Sequence, residues 1–112
     1  MSNTLHYSPE SVQDLDEIFE YIAVKKQNPI AARNTVQGIR AEISKLKTLD
    51  NIGVRVFLPN SLETPYRFIK YNNYLSFYRH IETDVYIDRI IYGKRDYIQI
   101  LFGADLIWAT QI

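Results

Sequence analysis

Cysteine is absent from this 112-residue chain, and long apolar runs are absent as well. Without cysteine the chain can form neither a disulfide framework nor a thiolate metal site, which fits a reducing compartment. No apolar run approaches the ~20 residues that a membrane-spanning helix requires. The first residues, Met-Ser-Asn-Thr-Leu-His, lack the basic and apolar regions of a signal peptide. We therefore expect one small cytoplasmic domain with no membrane partner.

The motifs of the common enzyme classes are also missing. The two histidines, His6 and His80, lie far apart in the sequence, and no histidine–cysteine pair occurs at ligand spacing. The chain contains no Gly-x-Ser-x-Gly elbow, phosphate loop or dinucleotide fingerprint, and its four glycines are scattered. We therefore expect neither a metal site nor a cofactor.

The net charge is zero, because thirteen acidic residues balance thirteen basic ones. A generic nucleic-acid binder usually has a basic surplus, since phosphate contacts dominate its affinity. The acidic side chains cluster early, at Asp14, Asp16, Glu17 and Glu20. Basic side chains cluster late, at Arg67, Lys70, Arg79, Arg89, Lys94 and Arg95. This distribution predicts a dipolar surface on a neutral protein.

Two helices are indicated in the first half of the chain. Ser8-Pro9 and Asn28-Pro29 each combine an N-cap residue with proline at the first helical position, which predicts helices over 9–25 and 29–48. The helically spaced apolar residues are Val12, Leu15, Ile18, Phe19 and Ile22 in the first, and Ala32, Val36, Ile39, Ile43 and Leu46 in the second. The short connection favours an antiparallel helix hairpin. We interpret the early acidic residues as the solvated face of the first helix.

The second half of the chain predicts a small, mainly antiparallel sheet. Strands are expected over 5–7, 66–70, 74–81 and 85–92, with another at 54–58. Asn72-Asn73 and Glu82-Thr83-Asp84 are hairpin turn signals, and strands joined so tightly must be antiparallel. Asp96 is expected to cap a short C-terminal helix over 97–102. The fold class is therefore α+β: an N-terminal strand and a helix hairpin packed on this sheet.

The extreme C-terminus differs from the rest of the chain. We assign residues 1–102 to a single domain and 103–112 to an apolar tail that contains Leu106, Ile107 and Trp108. Apolar side chains of this size favour burial. We expect the tail to fold back on the free protein or to mediate self-association.

The late basic residues are the candidates for function. Arg67, Arg79 and Arg89 lie on three successive predicted strands, and Lys94 and Arg95 follow the last one. Arginine carries a fixed fork of donors that matches phosphate or carboxylate. The side chains could therefore form a positive face for a partner. Alternatively, they form ordinary ion pairs with Asp84, Asp88 and Asp96.

An ordered set of short segments runs through about residues 4–102. The most distinctive are Tyr7-Ser8-Pro9-Glu10-Ser11, Tyr66-Arg67-Phe68, Asn73-Tyr74-Leu75-Ser76-Phe77-Tyr78-Arg79 and Gly93-Lys94-Arg95-Asp96-Tyr97. In these segments the chain resembles the RelE/ParE superfamily of toxins from bacterial type II toxin–antitoxin modules. The resemblance implies the same helix hairpin on a small sheet, a cognate antitoxin as partner, and a part in plasmid stabilisation.

Two activities occur in this superfamily, and the resemblance implies a choice between them. RelE-like members cut mRNA in the ribosome, and Arg67 and Arg95 match their catalytic arginines. The late RelE tyrosine would fall near Leu101 or Phe102, which cannot shuttle a proton, although Tyr97 lies nearby. ParE-like members inhibit DNA gyrase without a nuclease site. We expect ParE-like gyrase inhibition, with mRNA cleavage and a non-toxic antitoxin binder as alternatives.

If the resemblance holds, the target-binding residues are basic. We expect this role for Arg67, Arg79, Arg89, Lys94 and Arg95.

Overall fold

The computed structural model describes residues 2–49 and 51–103. Its strands are β1 Thr4–Tyr7, β2 Val54–Phe57, β3 Glu63–Tyr71, β4 Tyr74–Ile81 and β5 Asp84–Tyr92. Its α-helices are α1 Pro9–Glu20, α2 Pro29–Ser44 and α3 Tyr97–Phe102. A π-helical turn, Tyr21–Lys25, extends α1, and a 3₁₀ turn, Lys45–Lys47, extends α2. The predicted α+β class is confirmed. Residues 104–112 of the predicted tail lie outside the described residues.

Both long helices begin where the sequence predicts. The Ser8 hydroxyl accepts a hydrogen bond from the Ser11 amide, and the Asn28 side chain accepts one from the Ala31 amide, each at 3.0 Å. These bonds satisfy amides that the first helical turn cannot pair internally. None of the helices in 2–49 and 51–103 is long and apolar enough to cross a membrane.

The five strands form one sheet in the order β1-β5-β4-β3-β2. β1 is parallel to β5, with Leu5 opposite Val85, and the other pairs are antiparallel. Asn72 and Glu82 adopt positive φ angles of 51° and 56° in the two predicted hairpin turns. A turn so short leaves the strands no other arrangement than antiparallel pairing.

Side chains cover both faces of the sheet. On one face, α1 and α2 bury a core of Leu15, Ile39, Ile43, Leu46, Ile69, Tyr78, Val85, Ile87 and Ile90. On the other, α3 packs over a smaller cluster of Val56, Leu75, Phe77 and Ile91. This double cover buries all of residues 75–78, so β4 shows no alternation of buried and exposed positions.

The apolar stripe of α1 differs from the predicted one. Val12 and Phe19 are 41% and 42% exposed, while Ser11, Asp14 and Leu15 are buried. The helix is therefore rotated by about one residue from the predicted face. The reason is tertiary: Ser11 lies against the β1–α1 connection, and Asp14 bonds to β5.

Candidate functional site

Arg89 on β5 forms a partly buried ion pair with Asp14 on α1, in which the carboxylate is the buried partner. Its guanidinium donates two bonds, Nε to Oδ2 at 2.8 Å and Nη2 to Oδ1 at 2.9 Å. The Ile90 amide donates a third bond to Asp14 Oδ2, also at 2.8 Å. The bond to Asp14 is the main reason that the pKa of Arg89 is raised. The expectation that Asp14 faces solvent is therefore wrong.

The position of Asp14 follows from where β1 ends. β1 pairs with β5 only from Asp84 to Ile87, so the later backbone of β5 has no described strand on the side away from β4. Ser8 continues the hydrogen bonding along this side of β5: its amide donates to the Ile87 carbonyl and its hydroxyl donates to the Asp88 carbonyl. Asp14 then accepts the Ile90 amide. The start of α1 thus completes the hydrogen bonding of β5.

Arg79 on β4 belongs to a second network, on the α3 side of the sheet. Its Nε donates to Asp88 Oδ2 at 2.6 Å, and its guanidinium lies 5.3 Å from the Tyr86 ring centroid. The Tyr66 hydroxyl donates to the same carboxylate at 2.9 Å. Burial, followed by this bond to Asp88, raises the pKa of Tyr66 to about 12. Of the two roles predicted for Arg79, a free positive charge for a partner or an ion pair within the chain, the structure shows the ion pair, with Asp88.

The remaining predicted site residues lie in two places. Arg67 on β3 donates from Nη1 to the Gly53 carbonyl at 2.9 Å, which ties it to the segment before β2. Lys94 and Arg95 are exposed in the turn after β5, and neither forms an ion pair with another described residue. Asp96, proposed as a partner for these cations, instead caps α3 by accepting the Gln99 amide.

Arg95 lines a groove between the first helix and the sheet. The groove has a volume of about 530 Å³, within the range of ligand-binding clefts. One wall comes from α1 and the π-helical turn, and the other from the ends of β4 and β5. The lining residues are Asp14, Glu17, Ile18, Tyr21, Ile22, Lys26, Tyr74, Ile90, Tyr92 and Arg95.

Three tyrosines meet in this groove. The rings of Tyr74 and Tyr92 lie 5.7 Å apart at 59°. The pKa of Tyr74 is raised, first by burial and then by the neighbouring phenols of Tyr92 and Tyr21. Lys26 places its ammonium 5.6 Å from the Tyr21 ring centroid. The groove therefore combines an aromatic wall with two cations, at Lys26 and Arg95.

The groove suits binding better than proton transfer. The Tyr74 phenol, whose pKa is raised by burial, is a weaker acid than a solvent-exposed tyrosine and stays protonated at neutral pH. Among the residues that the structure describes, the carboxylates in the lining are Glu17 and Asp14, and Asp14 is held by Arg89. The aromatic and apolar walls with cations at the rim are the features of a surface that receives a partner side chain.

Of the five predicted target-binding residues, only Arg95 lines the groove. Sequence reasoning missed the groove itself, because Tyr21 and Lys26 lie on or beside a π-helical turn that helical periodicity does not reveal. π-helical turns are rare in proteins, but those that occur are often found at functional sites. The adjacent lysines Lys25-Lys26 were a usable signal, although they also fit a simple helix connection.

Sequence comparison matches residues 5–97 to a family model described as "ParE toxin of type II toxin-antitoxin system, parDE". The chain belongs to the ParE toxin family. The fold is also similar to that of a solved structure titled "Chromosomal ParDE TA system from P. aeruginosa", with a TM-score of 0.65 and 21% identity. That alignment covers 83% of this chain and 98% of the other. A comparison with curated proteins gave no match. The ParE-like fold inferred from the sequence is thus confirmed.

Proposed function

We propose that this ParE-family protein is a toxin that inhibits DNA gyrase and is silenced by a cognate antitoxin. The family match over residues 5–97 carries the proposal. Both partners are proteins, which agrees with a groove built for contact rather than for chemistry. Gyrase and antitoxins act in the bacterial cytoplasm, and we propose the same location for this chain. A part in plasmid stabilisation would follow from membership of such a module.

The structure offers little support for the alternative of mRNA cleavage. In the short C-terminal helix, at the positions that match the tyrosine of a RelE-like nuclease, Leu101 packs on the sheet and Phe102 lies edge-on to Tyr66. Tyr97 is held against Phe77, with ring centroids 5.2 Å apart. A general acid or base typically contributes 10²–10⁴-fold to a reaction rate. A nuclease that lacked one at this position would therefore cleave mRNA much more slowly.

The basic turn after β5 is the part of the surface that we assign to target binding. Lys94 and Arg95 are exposed and have no described ion-pair partner, so they keep their charge available for an acidic surface. Arg79 and Arg89 are committed to Asp88 and Asp14. We therefore propose that these two arginines, with Arg67, hold the sheet in shape around the site.

A supercoiling assay with purified gyrase tests the proposal. The wild-type chain should inhibit supercoiling, and the double variant Lys94→Ala/Arg95→Ala should inhibit it much less. Lys25→Ala/Lys70→Ala is the matched control, because it removes the same charge at other exposed positions. The control should behave as wild type.

Expression in bacteria separates the alternatives. Gyrase inhibition should give DNA-damage signalling and filamentation. Messenger RNA cut within codons on ribosomes, with supercoiling unaffected, would establish the nuclease alternative instead. If the chain has neither effect but binds the antitoxin, it is a non-toxic relative.

A further inference from the structure

Lys26 reaches the groove because of the π-helical turn that extends α1. Its amide donates to the Tyr21 carbonyl at 3.1 Å, five residues back rather than four. In a regular α-helix, side chains five residues apart point in directions that differ by roughly 140° around the axis. The wider π turn reduces this separation, and the Lys26 ammonium lies 5.6 Å from the Tyr21 ring centroid. The turn therefore adds to the groove wall a cation that α-helical geometry would direct elsewhere.

Arg95 brings a second cation from the opposite wall of the groove. It is exposed in the turn after β5, whose backbone is fixed by a bond from the Arg95 amide to the Tyr92 carbonyl at 2.9 Å. Neither Lys26 nor Arg95 forms an ion pair with another described residue. Both charges are thus available to a ligand in the groove.

Two carboxylates also line the groove, but they do not cancel these cations. Asp14 accepts two bonds from the Arg89 guanidinium. The pKa of Arg89 is raised mainly by this bonding and, to a smaller extent, by nearby carboxylates that include Glu17. In and beside the groove, Arg89, Lys26 and Arg95 thus give three cations against two carboxylates. The groove keeps a net positive charge, and its unpaired cations are those of Lys26 and Arg95.

The interior of the groove is apolar, with phenol hydroxyls on one wall. The isoleucines of the lining are Ile18, Ile22 and Ile90. Tyr74 and Tyr92 are half-buried, and neither hydroxyl bonds to another described residue. Because no buried side-chain nitrogen or oxygen of the described residues lacks a partner, these hydroxyls are open to the groove. A tryptophan or tyrosine side chain, with its apolar ring and polar tip, would match both features.

A protein segment fits the groove better than a nucleic acid does. Phosphate contacts require a basic surplus along an extended surface, whereas this chain has no net charge. Tyrosine and arginine are enriched among the residues that dominate binding energy at protein interfaces, where they form pockets that exclude water. The cations at the rim favour a segment that carries carboxylates beside its apolar side chain.

We propose that the groove is the anchor site for gyrase and takes one bulky apolar side chain from an acidic segment of that target. A carboxylate next to this side chain lies between Lys26 and Arg95. The inference deepens the proposed function and rests on it, since the partner is the proposed target. It extends the target-binding surface from the basic turn after β5 to the π-helical turn after α1.

Two adjacent lysines provide a matched pair of variants. Lys25 and Lys26 are both exposed, but Lys26 lines the groove and Lys25 does not. Lys26→Glu should raise the toxin concentration that half-inhibits supercoiling by about tenfold, because repulsion replaces an attraction to the acidic segment. Lys25→Glu makes the same change in net charge and should inhibit as wild type. The proposal is overturned if the two variants lose inhibition equally, or if Lys26→Glu loses none.

Truncation of the aromatic wall tests the apolar part of the site. Tyr21→Ala should weaken inhibition by about tenfold or more, as expected for a central aromatic residue of an interface. Ile30→Ala is the control, since Ile30 is 69% exposed on the same helix hairpin and lies outside the groove lining. A Tyr21→Ala chain that melts and inhibits as wild type overturns the proposal. The lysine pair decides the question if Tyr21→Ala is unstable.

A peptide tests the class of ligand without gyrase. The probe is a synthetic pentapeptide with tryptophan between two pairs of aspartates, acetylated and amidated at its ends. On the full-length chain with isotope-labelled tyrosines, millimolar peptide should shift the ring signals of Tyr21, Tyr74 and Tyr92. The same peptide with lysines in place of the aspartates should leave them unchanged. The absence of a shift, or a shift caused instead by a short oligothymidylate, overturns the proposal.

The anchor site and the proposed function can fail separately. If the wild-type chain inhibits gyrase and the Lys26→Glu and Tyr21→Ala chains do so equally well, the proposed function stands and the anchor site is lost. If the wild-type chain leaves gyrase unaffected, the proposed function is lost. Ring shifts with the acidic peptide would then keep the groove as a site for an acidic segment of another protein.

Discussion

At the scale of single residues, Asp14 illustrates how one carboxylate can serve two elements. Its oxygens accept three bonds, two from Arg89 and one from the Ile90 amide, and its side chain is 7% exposed. Carboxylates in such positions are costly to remove, because the remaining charge stays buried without a partner. Nothing in the local sequence distinguishes Asp14 from its exposed neighbours Asp16 and Glu17.

Asp14→Ala should lower the free energy of unfolding by about 3 kcal/mol, near the lower end for breaking a buried pair. The lower end applies because the Arg89 side chain remains 27% exposed and can regain some water. Urea denaturation measures the change. Asp16→Ala, on the exposed side of the same helix, should alter stability by no more than about 0.5 kcal/mol. Equal stability of the two variants would contradict this account.

The raised pKa of Tyr66 leads to a prediction of how the free energy of unfolding changes at alkaline pH. Its pKa is about 12 in the folded protein and 10.0 in the unfolded chain. Between these values the folded phenol keeps a proton that the unfolded phenol has lost, so stability falls as pH rises from 10 to 12. Tyr66→Phe should reduce the slope of that fall without abolishing it, since Tyr7 and Tyr74 also have raised pKa values.

Unfolding free energies measured from pH 9 to 12 would check the Tyr66 prediction. Absorbance titration of the folded protein should show one fewer late-titrating tyrosine in the variant. A slope that is the same in both proteins would mean that Tyr66 does not control it. Tyr86→Phe is a suitable comparison, because it removes a phenol whose ring lies against Arg79 of the same network.

At the scale of elements, α2 depends on one glycine for its approach to β3. A Cβ atom built on Gly38 would lie 2.1 Å from the Tyr71 ring. Alanine is a better helix former than glycine by about 1 kcal/mol. The clash should outweigh that gain, because the ring is held between helix and sheet and overpacking typically costs 1–3 kcal/mol.

Gly38→Ala should therefore destabilise the protein, with a lower thermal midpoint in a melting experiment. Adding Tyr71→Val should recover part of the loss, because it removes the ring that alanine meets. Gln37→Ala controls for helix propensity at the adjacent exposed position and should be neutral or slightly stabilising. A stabilised Gly38→Ala variant would show that the helix moves away at little cost.

The helices also show which structural features local sequence can predict and which it cannot. The starts of α1 and α2 were predictable, because Ser8-Pro9 and Asn28-Pro29 act on their own first turns. The buried face of α1 was not, since it is set by hydrogen bonds to β5. The groove was missed for the same reason: Tyr21, Tyr74 and Arg95 are brought together by pairings between distant parts of the chain.

At the scale of the whole molecule, structural and functional arginines should separate in one experiment. Arg89→Ala should lower stability, because it strands the Asp14 carboxylate. Arg95→Ala should change stability by no more than about 0.5 kcal/mol, as exposed truncations usually do, but weaken gyrase inhibition. Thermal melts and supercoiling assays on both variants measure the two effects. An Arg95→Ala chain that inhibits gyrase as wild type would remove Arg95 from the target-binding surface.

The C-terminal tail stays a prediction drawn from sequence. Deleting residues 104–112 should strengthen antitoxin binding or change the oligomeric state, because the segment contains Leu106, Ile107 and Trp108. Light scattering reports the mass, and isothermal titration reports the affinity. A deletion that changes neither would reduce the tail to an inert extension.

The parallel pairing of β1 with β5 has a consequence for how the protein is made. β1 cannot pair until β5 has been synthesised, since Leu5 pairs with Val85 and the Ile90 amide donates to Asp14. Contacts between such distant segments form late and slow folding. A chain that is still being synthesised, or one cut short before β5, cannot complete the sheet. Translation that stops early should therefore release fragments that are harmless to the cell.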